Sequence, residues 1–385
     1  MNDYANTIYK KTAHWTIVGC GLLFSIFSFV FLYVFQRDVL EALHYSLAHG
    51  KTVFAPLGSA IVITLVLILL RWGVNSLLGL KGNIRSLSYF PSFLVLCALT
   101  GIGRDVYLSN YHSYWTWLMP VLLVVFAAVG FWLRHLFRNK LNEEGSAFSL
   151  VCWNVFILLA MCFMTISVSN TDRTFHHELQ IERALRNKDY REALNVGKHS
   201  MEASRTLTAL RAIAMIRTNQ LGDRLFEYPQ YYGSDGLFFA NDSTTQLRYT
   251  NDSIYYLLGV RPYDGESRME FLSNICHKET GKFTALHYYL ATLLLDKKLR
   301  DFAKEIPVFY EKGDTLPRYY REAMLLYQQE FTDTTSLWKT QDSVMIHRYK
   351  AFQDLHRGGQ SDIPEVNHIR KNFGDTYWWY FYYQK

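Results

Sequence analysis

Cysteine is scarce in this chain of 385 residues: there are five, and only Cys276 lies beyond residue 170. Residues 171–385 therefore cannot close a disulfide of their own or build a cysteine-based zinc site. Cys20, Cys97, Cys152 and Cys162 fall inside apolar runs, where a small apolar filler is the expected role. Other absences narrow the chemistry. No glycine-rich loop ends in Lys-Ser/Thr, and Gly101-Ile102-Gly103 lacks the third glycine of a dinucleotide turn. There is no His-Glu-x-x-His helix and no Gly-x-Ser-x-Gly elbow. His176 and His177 are adjacent, so on a helix they point about 100° apart, which suits a solvated helix start better than a metal. His277 and His287 are ten residues apart with a glycine between, and the same reading applies. The sequence offers no catalytic residue, no metal site and no cofactor motif.

Charge of one sign is also missing from the second half. Residues 171–385 hold 29 Lys/Arg against 28 Asp/Glu, while the first 170 hold 11 against 6. A basic stripe for nucleic acid is therefore not expected. The excess sits between long apolar runs, where membrane topology explains it better.

Those runs are the strongest signal present. Trp15–Phe35 is 21 residues without a charge, roughly 30 Å as a helix and enough to cross the hydrocarbon of a bilayer. Lys10 and Lys11 precede it as in a signal peptide, but no small-x-small cleavage site follows, so it reads as retained. Val53–Leu70, Ser86–Gly103, Tyr114–Leu133 and Phe148–Val168 follow. Ser86–Gly103 is the weakest, with Pro91, Gly101 and several serines. Pro56, Pro91 and Pro120 fall near the starts of their runs, where a missing amide donor costs little. Five spans are predicted. Numbered alternately, the N-terminus and loops 71–85 and 134–147 share one side with eight Lys/Arg, and the opposite short loops hold three. The rule that basic loops stay inside puts the first set in the cytoplasm. An odd count then puts residues 171–385 outside it, in the periplasm of a bacterium with its inner membrane as host.

Residues 171–385 read as a helical soluble domain. Thr171 or Asp172 is the predicted N-cap of its first helix. Leu179, Ile181, Ala184 and Leu185 form a stripe at helical spacing, Asn187-Lys188-Asp189 breaks it, and Tyr190-Arg191-Glu192-Ala193-Leu194 opens a second helix. Thr206–Ile216 and Phe283–Phe309 continue the pattern, and Pro317 opens another helix over Arg318–Gln329. Residues 228–266, rich in Tyr, Gly, Asp and Asn, interrupt it as an irregular insertion holding a short helix at Ser253–Leu258. The helix, charged turn and Tyr-x-x-Ala start at Tyr190 and Ala193 resemble tetratricopeptide-type repeats without a clean 34-residue period. The fold class expected is all-α: about five transmembrane helices in residues 1–170, then an irregular α-solenoid over 171–385.

The span block, Leu316-Pro317-Arg318-Tyr319-Tyr320-Arg321-Glu322-Ala323 and Phe373-Gly374-Asp375-Thr376-Tyr377-Trp378 resemble a group of Bacteroidota membrane proteins of unknown function, in which several spans precede a helical-repeat domain. The resemblance implies location and fold but no activity. Asp252-Ser253-Ile254 and Asp342-Ser343-Val344 also look like the short sites that such bacteria O-glycosylate on exported proteins.

Two places attract functional attention. Arg104, Asp105, Tyr107, Asn110 and His112, with Tyr111 and Tyr114, cluster between the third and fourth runs. Arginine and tyrosine are ordinary anchors at a membrane edge, and the alternative is a site for a polar headgroup or glycan. Tyr377, Trp378, Trp379 and Tyr380 belong to a closing aromatic run that either caps the core or meets a partner or membrane surface. The leading expectation is a non-enzymatic scaffold or binding component of the cell envelope. Its partners would be the lipid bilayer and another envelope protein, not nucleic acid. The alternative is a membrane enzyme or transport component acting on a lipid-linked or glycan substrate through the 104–114 loop.

Overall fold

The computed structural model describes residues 2–109, 111–136, 146–240, 245–311, 313–331, 342–356 and 363–384. The described residues form helices and turns, with one isolated β-bridge between Leu108 and Thr245. Two compact units result: Met1–His176 with Thr244–Gln246, and His177–Ser243 with Leu247–Lys385.

The first unit is built on α1 (Asn2–Val30), α2 (Arg37–Ala48), α3 (Pro56–Leu78), α4 (Phe90–Thr100), α5 (Trp115–Leu136) and α6 (Ala147–Val168). Four stretches, Tyr9–Phe35, Pro56–Leu78, Trp115–Leu133 and Ala147–Val168, are long and apolar enough to cross a membrane. Their outward faces carry exposed Leu22, Ile26, Val62, Leu69, Val124 and Phe156, the surface a bilayer would cover. α1 closes in a π-turn over Phe31–Phe35, where the Gln36 amide bonds back to the Phe31 carbonyl at 2.9 Å. α3 opens on Pro56 at its first turn. Pro120, by contrast, sits inside α5, past the first turn, and denies the Thr116 carbonyl its helical donor.

The Ser86–Gly103 run is not one of those four helices. It is a composite: a 3-10 helix over Gly82–Tyr89 that passes directly into α4. The cause is tertiary. Asn154 of α6 accepts from the Ser86 amide at 2.8 Å and donates to the Gly82 carbonyl at 3.0 Å, so it takes over backbone groups an α-helix would pair. The composite then runs beside α6 from end to end. Asn83 bonds Ser149, Ser86 bonds Asn154, Cys97 meets Thr165, and the Thr100 carbonyl accepts from the Asn170 amide. Its length, roughly 32 Å, equals that of α6 at roughly 33 Å. α4 is buried on nearly every side, including Pro91, Ser92, Phe93, Leu94, Leu96, Cys97 and Thr100. A helix surrounded by protein can keep serine and threonine: Ser92 donates to the Leu67 carbonyl and Thr100 to that of Leu96, both at 2.8 Å. The weak apolar signal of this run follows from that burial.

Residues 36–52, expected as a loop, hold the amphipathic α2, which buries Val39, Leu40, Glu41 and Ala42. At Gly101 three elements converge: a Cβ there would stand 2.9 Å from the Cys97 carbonyl, 3.2 Å from Trp115 and 3.3 Å from the Val168 carbonyl.

The second unit takes up α7 (Arg173–Arg186), which begins before His177, then α8 (Tyr190–Asn195), α9 (Arg205–Arg217), α10 (Leu221–Arg224), α11 (Asn251–Leu258), α12 (Arg268–His277), α13 (Phe283–Leu295), α14 (Leu299–Phe309), α15 (Arg318–Glu330), α16 (Ser343–Leu355), α17 (Ile363–Phe373) and α18 (Tyr377–Tyr383). Local chemistry starts many of them. Asp172, Asp189, Ser204, Ser267, Asp342 and Thr376 each accept an amide from the first turn that follows. Ser253 sits in a capping box with Thr250, and Ser343 follows the Asp342 cap, so both short glycosylation-like sites are helix starts.

Consecutive helices pack in pairs, α8 on α9, α12 on α13, α13 on α14 and α14 on α15. α9 and α13 are buried on all sides and form the axis of the core. A strict stack would join only sequence neighbours. Here α15 also packs on α10 and α18. Asp223 of α10 caps α15 by accepting the Arg318 amide at 2.7 Å. Gly222 is required at that crossing, since a Cβ would lie 2.6 Å from Pro317. The insertion is held by the same means: Asn251 exchanges two hydrogen bonds with the Phe239 backbone, and Phe238 and Phe239 are buried.

Candidate functional site

Among its described residues, the 104–114 loop divides its polar groups between contacts on Phe175 and the exposed surface. A 3-10 turn over Arg104–Tyr107 carries the first of them. Arg104 reaches Asp172 at 2.6 Å, with both side chains about two-fifths exposed, and its guanidinium lies over the Phe175 ring. Tyr107 turns inward, 5% exposed, edge-on to Tyr45 and Phe175. Asp105 and His112 are exposed, and Asn110 lies outside the described residues. The turn is fastened on several sides. Ser46 of α2 donates to the Val106 carbonyl at 2.6 Å, the Gln246 amide to that of Tyr107 at 2.7 Å, and Asn170 to that of Ile102 at 2.6 Å. Exposed ion pairs contribute little. Arg104→Ala, Asp105→Ala and His112→Ala are each expected to keep folded stability within about 1 kcal/mol of the parent. Thermal unfolding of the full chain in detergent checks this, and a loss several times larger for Arg104→Ala would contradict it.

The closing aromatic run lies inside the second unit. Tyr377, Trp378, Trp379 and Tyr380 are all buried on α18. Trp378 packs on Tyr349 and Phe352, Tyr377 and Tyr380 on Phe226, and the Tyr380 hydroxyl donates to the Leu295 carbonyl at 2.6 Å. Beneath them is an ionic network that runs from buried Glu322 to half-buried Arg318, Arg348 and Asp375. Glu322 accepts from Arg318 at 2.9 Å and from the Tyr377 amide at 2.8 Å. The Glu322 carbonyl accepts from the Trp378 indole at 3.0 Å. Arg318 and Arg348 both donate to Asp375, at 2.9 and 2.6 Å. Burial pushes the Glu322 carboxyl up to about 7, against the pull of Arg318. Burial also raises Asp375, but Arg348 and Arg318 outweigh it and hold that carboxyl below its ordinary value. The two segments that carry the family resemblance, 316–323 and 373–378, are thus two halves of one network. Their pattern serves closure of the core.

The concave surface that sequence reasoning missed lies beside this closure. A groove of about 300 Å³ is lined by residues 198–201, 227–229, 370–371 and 374, with Trp379 and Gln384. It carries Lys198, Arg370 and Lys371 with His199, against one carboxylate, Glu227. That carboxylate is already engaged by Arg224 at 3.0 Å and Lys198 at 3.3 Å. Arg370 leans on Tyr231 and Met201, which fixes its position at the rim. The field in the groove is therefore positive. A second cavity of about 320 Å³ pairs Lys298 and Lys304 with Glu270, Asp301 and Glu305 and has no such bias. No sequence signal marks the first groove, because its walls come from three distant segments.

Three of the histidines singled out in the sequence have local partners. His277 lies 3.1 Å from Glu305, and His287 is buried beside the Tyr320 hydroxyl, where burial lowers its pKa. His176 contacts the Asn170 carbonyl at 3.0 Å.

The described residues thus define a helical protein with four helices long and apolar enough to cross a membrane. More specifically, the chain belongs to a family of unknown function, DUF6057, which it matches over residues 17–262 and 263–384. No curated protein and no solved structure matches it.

Proposed function

We propose that this protein is a membrane-anchored scaffold of the cell envelope. In this reading a bundle of five crossings holds a helical-hairpin unit outside the cytoplasm, in the periplasm of a bacterial inner membrane. That unit is an irregular stack of hairpins closed by its C-terminal segment.

The count of five rests on the composite run beside α6 and on which segments meet. Residues 36–52, 101–113 and 169–172 are joined by the Ser46–Val106, Asn170–Ile102 and Arg104–Asp172 contacts. With five crossings these three segments share a side. With four, if residues 82–100 did not cross, 101–113 would face the opposite side from 36–52. Loop charge then supplies the direction.

The observation that carries the binding role is the basic groove. Its three cations and aromatic floor suit an extended acidic segment of a neighbouring envelope protein. Photo-crosslinkers placed at His199 and Ser200 in cells should give a discrete protein adduct. The combined change Lys198→Glu and Lys371→Glu should abolish it, and Lys304→Glu in the balanced cavity should leave it. An adduct indifferent to the groove charges, or none from either position, would overturn this role.

A further inference from the structure

Two arginines of the first unit face one small cavity without an acid between them. Arg71 of α3 is 8% exposed. Arg85, half-buried, stands on the 3-10 helix before α4. Both line a cavity with Ser86, Tyr89, Asn154 and Cys20, and among the described residues its lining contains no acid. The Nε atoms of Arg71 and Arg85 and the Tyr89 hydroxyl are buried with no hydrogen-bond partner among the described residues. The Arg71 guanidinium lies over the Tyr89 ring, 4.8 Å from its centre, which orients the charge without neutralising it. The Asn154 amide oxygen already accepts from the Ser86 amide, and its NH2 donates to the Gly82 and Leu150 carbonyls.

Like charges beside one cavity at low dielectric repel, and each buried donor without an acceptor costs free energy. Water would satisfy the donors but leave the charge. An oxyanion does both, and guanidinium forks match its geometry. The cavity volume, about 30 Å³, decides the size class. It exceeds the roughly 10–15 Å³ one water needs and falls far below the roughly 300 Å³ of an ordinary ligand pocket. One oxyanion fits, and a nucleotide does not. Position narrows it further. Arg71 directly follows the apolar run Val53–Leu70, so it stands where lipid phosphates lie.

We propose that this cavity binds a phosphate group, from an anionic lipid headgroup or from a small phosphate anion, with Arg71, Arg85 and Tyr89 as donors. The test uses the full chain, delipidated in a neutral detergent. Its unfolding temperature is followed against inorganic phosphate at constant ionic strength and, separately, against dioctanoyl phosphatidic acid. Native mass spectrometry reads any lipid that remains bound. A saturable rise with the lipid alone, or a retained phospholipid, assigns the headgroup. A rise with inorganic phosphate assigns the free anion. In either case Arg85→Gln, at the more exposed position, should weaken binding by about tenfold or more, the weight of one charged hydrogen bond. Arg85→Lys should retain most of it. Absence of any rise together with no retained lipid would overturn the proposal. So would a rise unchanged in Arg85→Gln. A response seen only after Glu143→Gln and Glu144→Gln would also overturn it, by showing that the chain's own carboxylates occupy the site.

Discussion

Glu322→Ala is expected to cost the second unit about 2–4 kcal/mol and to free its last helix, because it leaves a cavity and strands the Tyr377 amide without its acceptor. Glu322 is 2% exposed and bonds both Arg318 and the Tyr377 amide. Without it Arg318 keeps Asp375, but the start of α18 loses its anchor. Hydrogen exchange should quicken first across Tyr377–Tyr383, ahead of α9 and α13. Glu322→Gln fills the same space but turns an amide donor toward one of two donors, so an intermediate loss is expected.

The same group gives the unit a pH dependence of definite sign. Its folded pKa is about 7 against an ordinary 4.5. Between those values the folded unit holds a proton the unfolded chain has released. This contribution is complete below pH 4.5 and is lost as pH rises through 7. Asp375 acts oppositely. It is held below its ordinary 3.8, so its contribution is present above that value and is lost on acidification. Unfolding of the full chain should therefore show stability falling from pH 5 to pH 8 by up to about 3 kcal/mol. Glu322→Gln should flatten that slope, and a slope unchanged in this variant would contradict the assignment.

The second large effect is expected at Arg211, 1% exposed in the middle of α9. It donates to the Val196 and Gly197 carbonyls at 3.2 and 3.1 Å, and its guanidinium lies 4.5 Å from the centre of the Tyr228 ring. Burial lowers its pKa to about 10, so it stays charged at neutral pH. Among the described residues no acid pairs with it, and two of its nitrogens are buried without partners. The side chain's worth is therefore mostly the space it fills and the chain end it holds. Arg211→Ala should cost about 3–5 kcal/mol through the cavity it leaves. Arg211→Met should recover at least half, because methionine fills similar space and removes a buried charge, while the half-buried carbonyls can turn to water. Thermal unfolding of the two variants separates the contributions. Equal losses would mean that the carbonyl contacts matter more than volume.

What could be read from sequence was local. The long apolar helices follow from uninterrupted runs, and caps such as Asp172 and Asp189 bond amides two or three residues ahead. Arg318 and Glu322 are four apart, so even that pair is legible on a helix. Their partner Asp375 is not, because only tertiary folding brings residue 375 to α15. The same holds for the composite 82–100 run, where the choice of 3-10 over α depends on Asn154, 68 residues beyond Ser86. α2 was hidden because its apolar stripe is short and Glu41 lies within it. The aromatic tail was visible as composition, but whether it faced in or out depended on Phe226 and Tyr349. The polar 104–114 cluster divides on folding: Arg104 and Tyr107 both meet Phe175, whereas Asp105 and His112 stay exposed, and sequence proximity alone does not tell these apart.

Whether residues 82–100 cross the bilayer decides between five crossings, which we propose, and four. Single cysteines at four exposed positions, Lys51, Lys81, Asp105 and Tyr263, test it in a background lacking the native cysteines, with a membrane-impermeant maleimide on intact cells whose outer barrier has been opened. The account predicts labelling at 51, 105 and 263, and at 81 only after the inner membrane is permeabilised. Labelling at 51 with protection at 105 and 263 would contradict it, because that pattern belongs to four crossings.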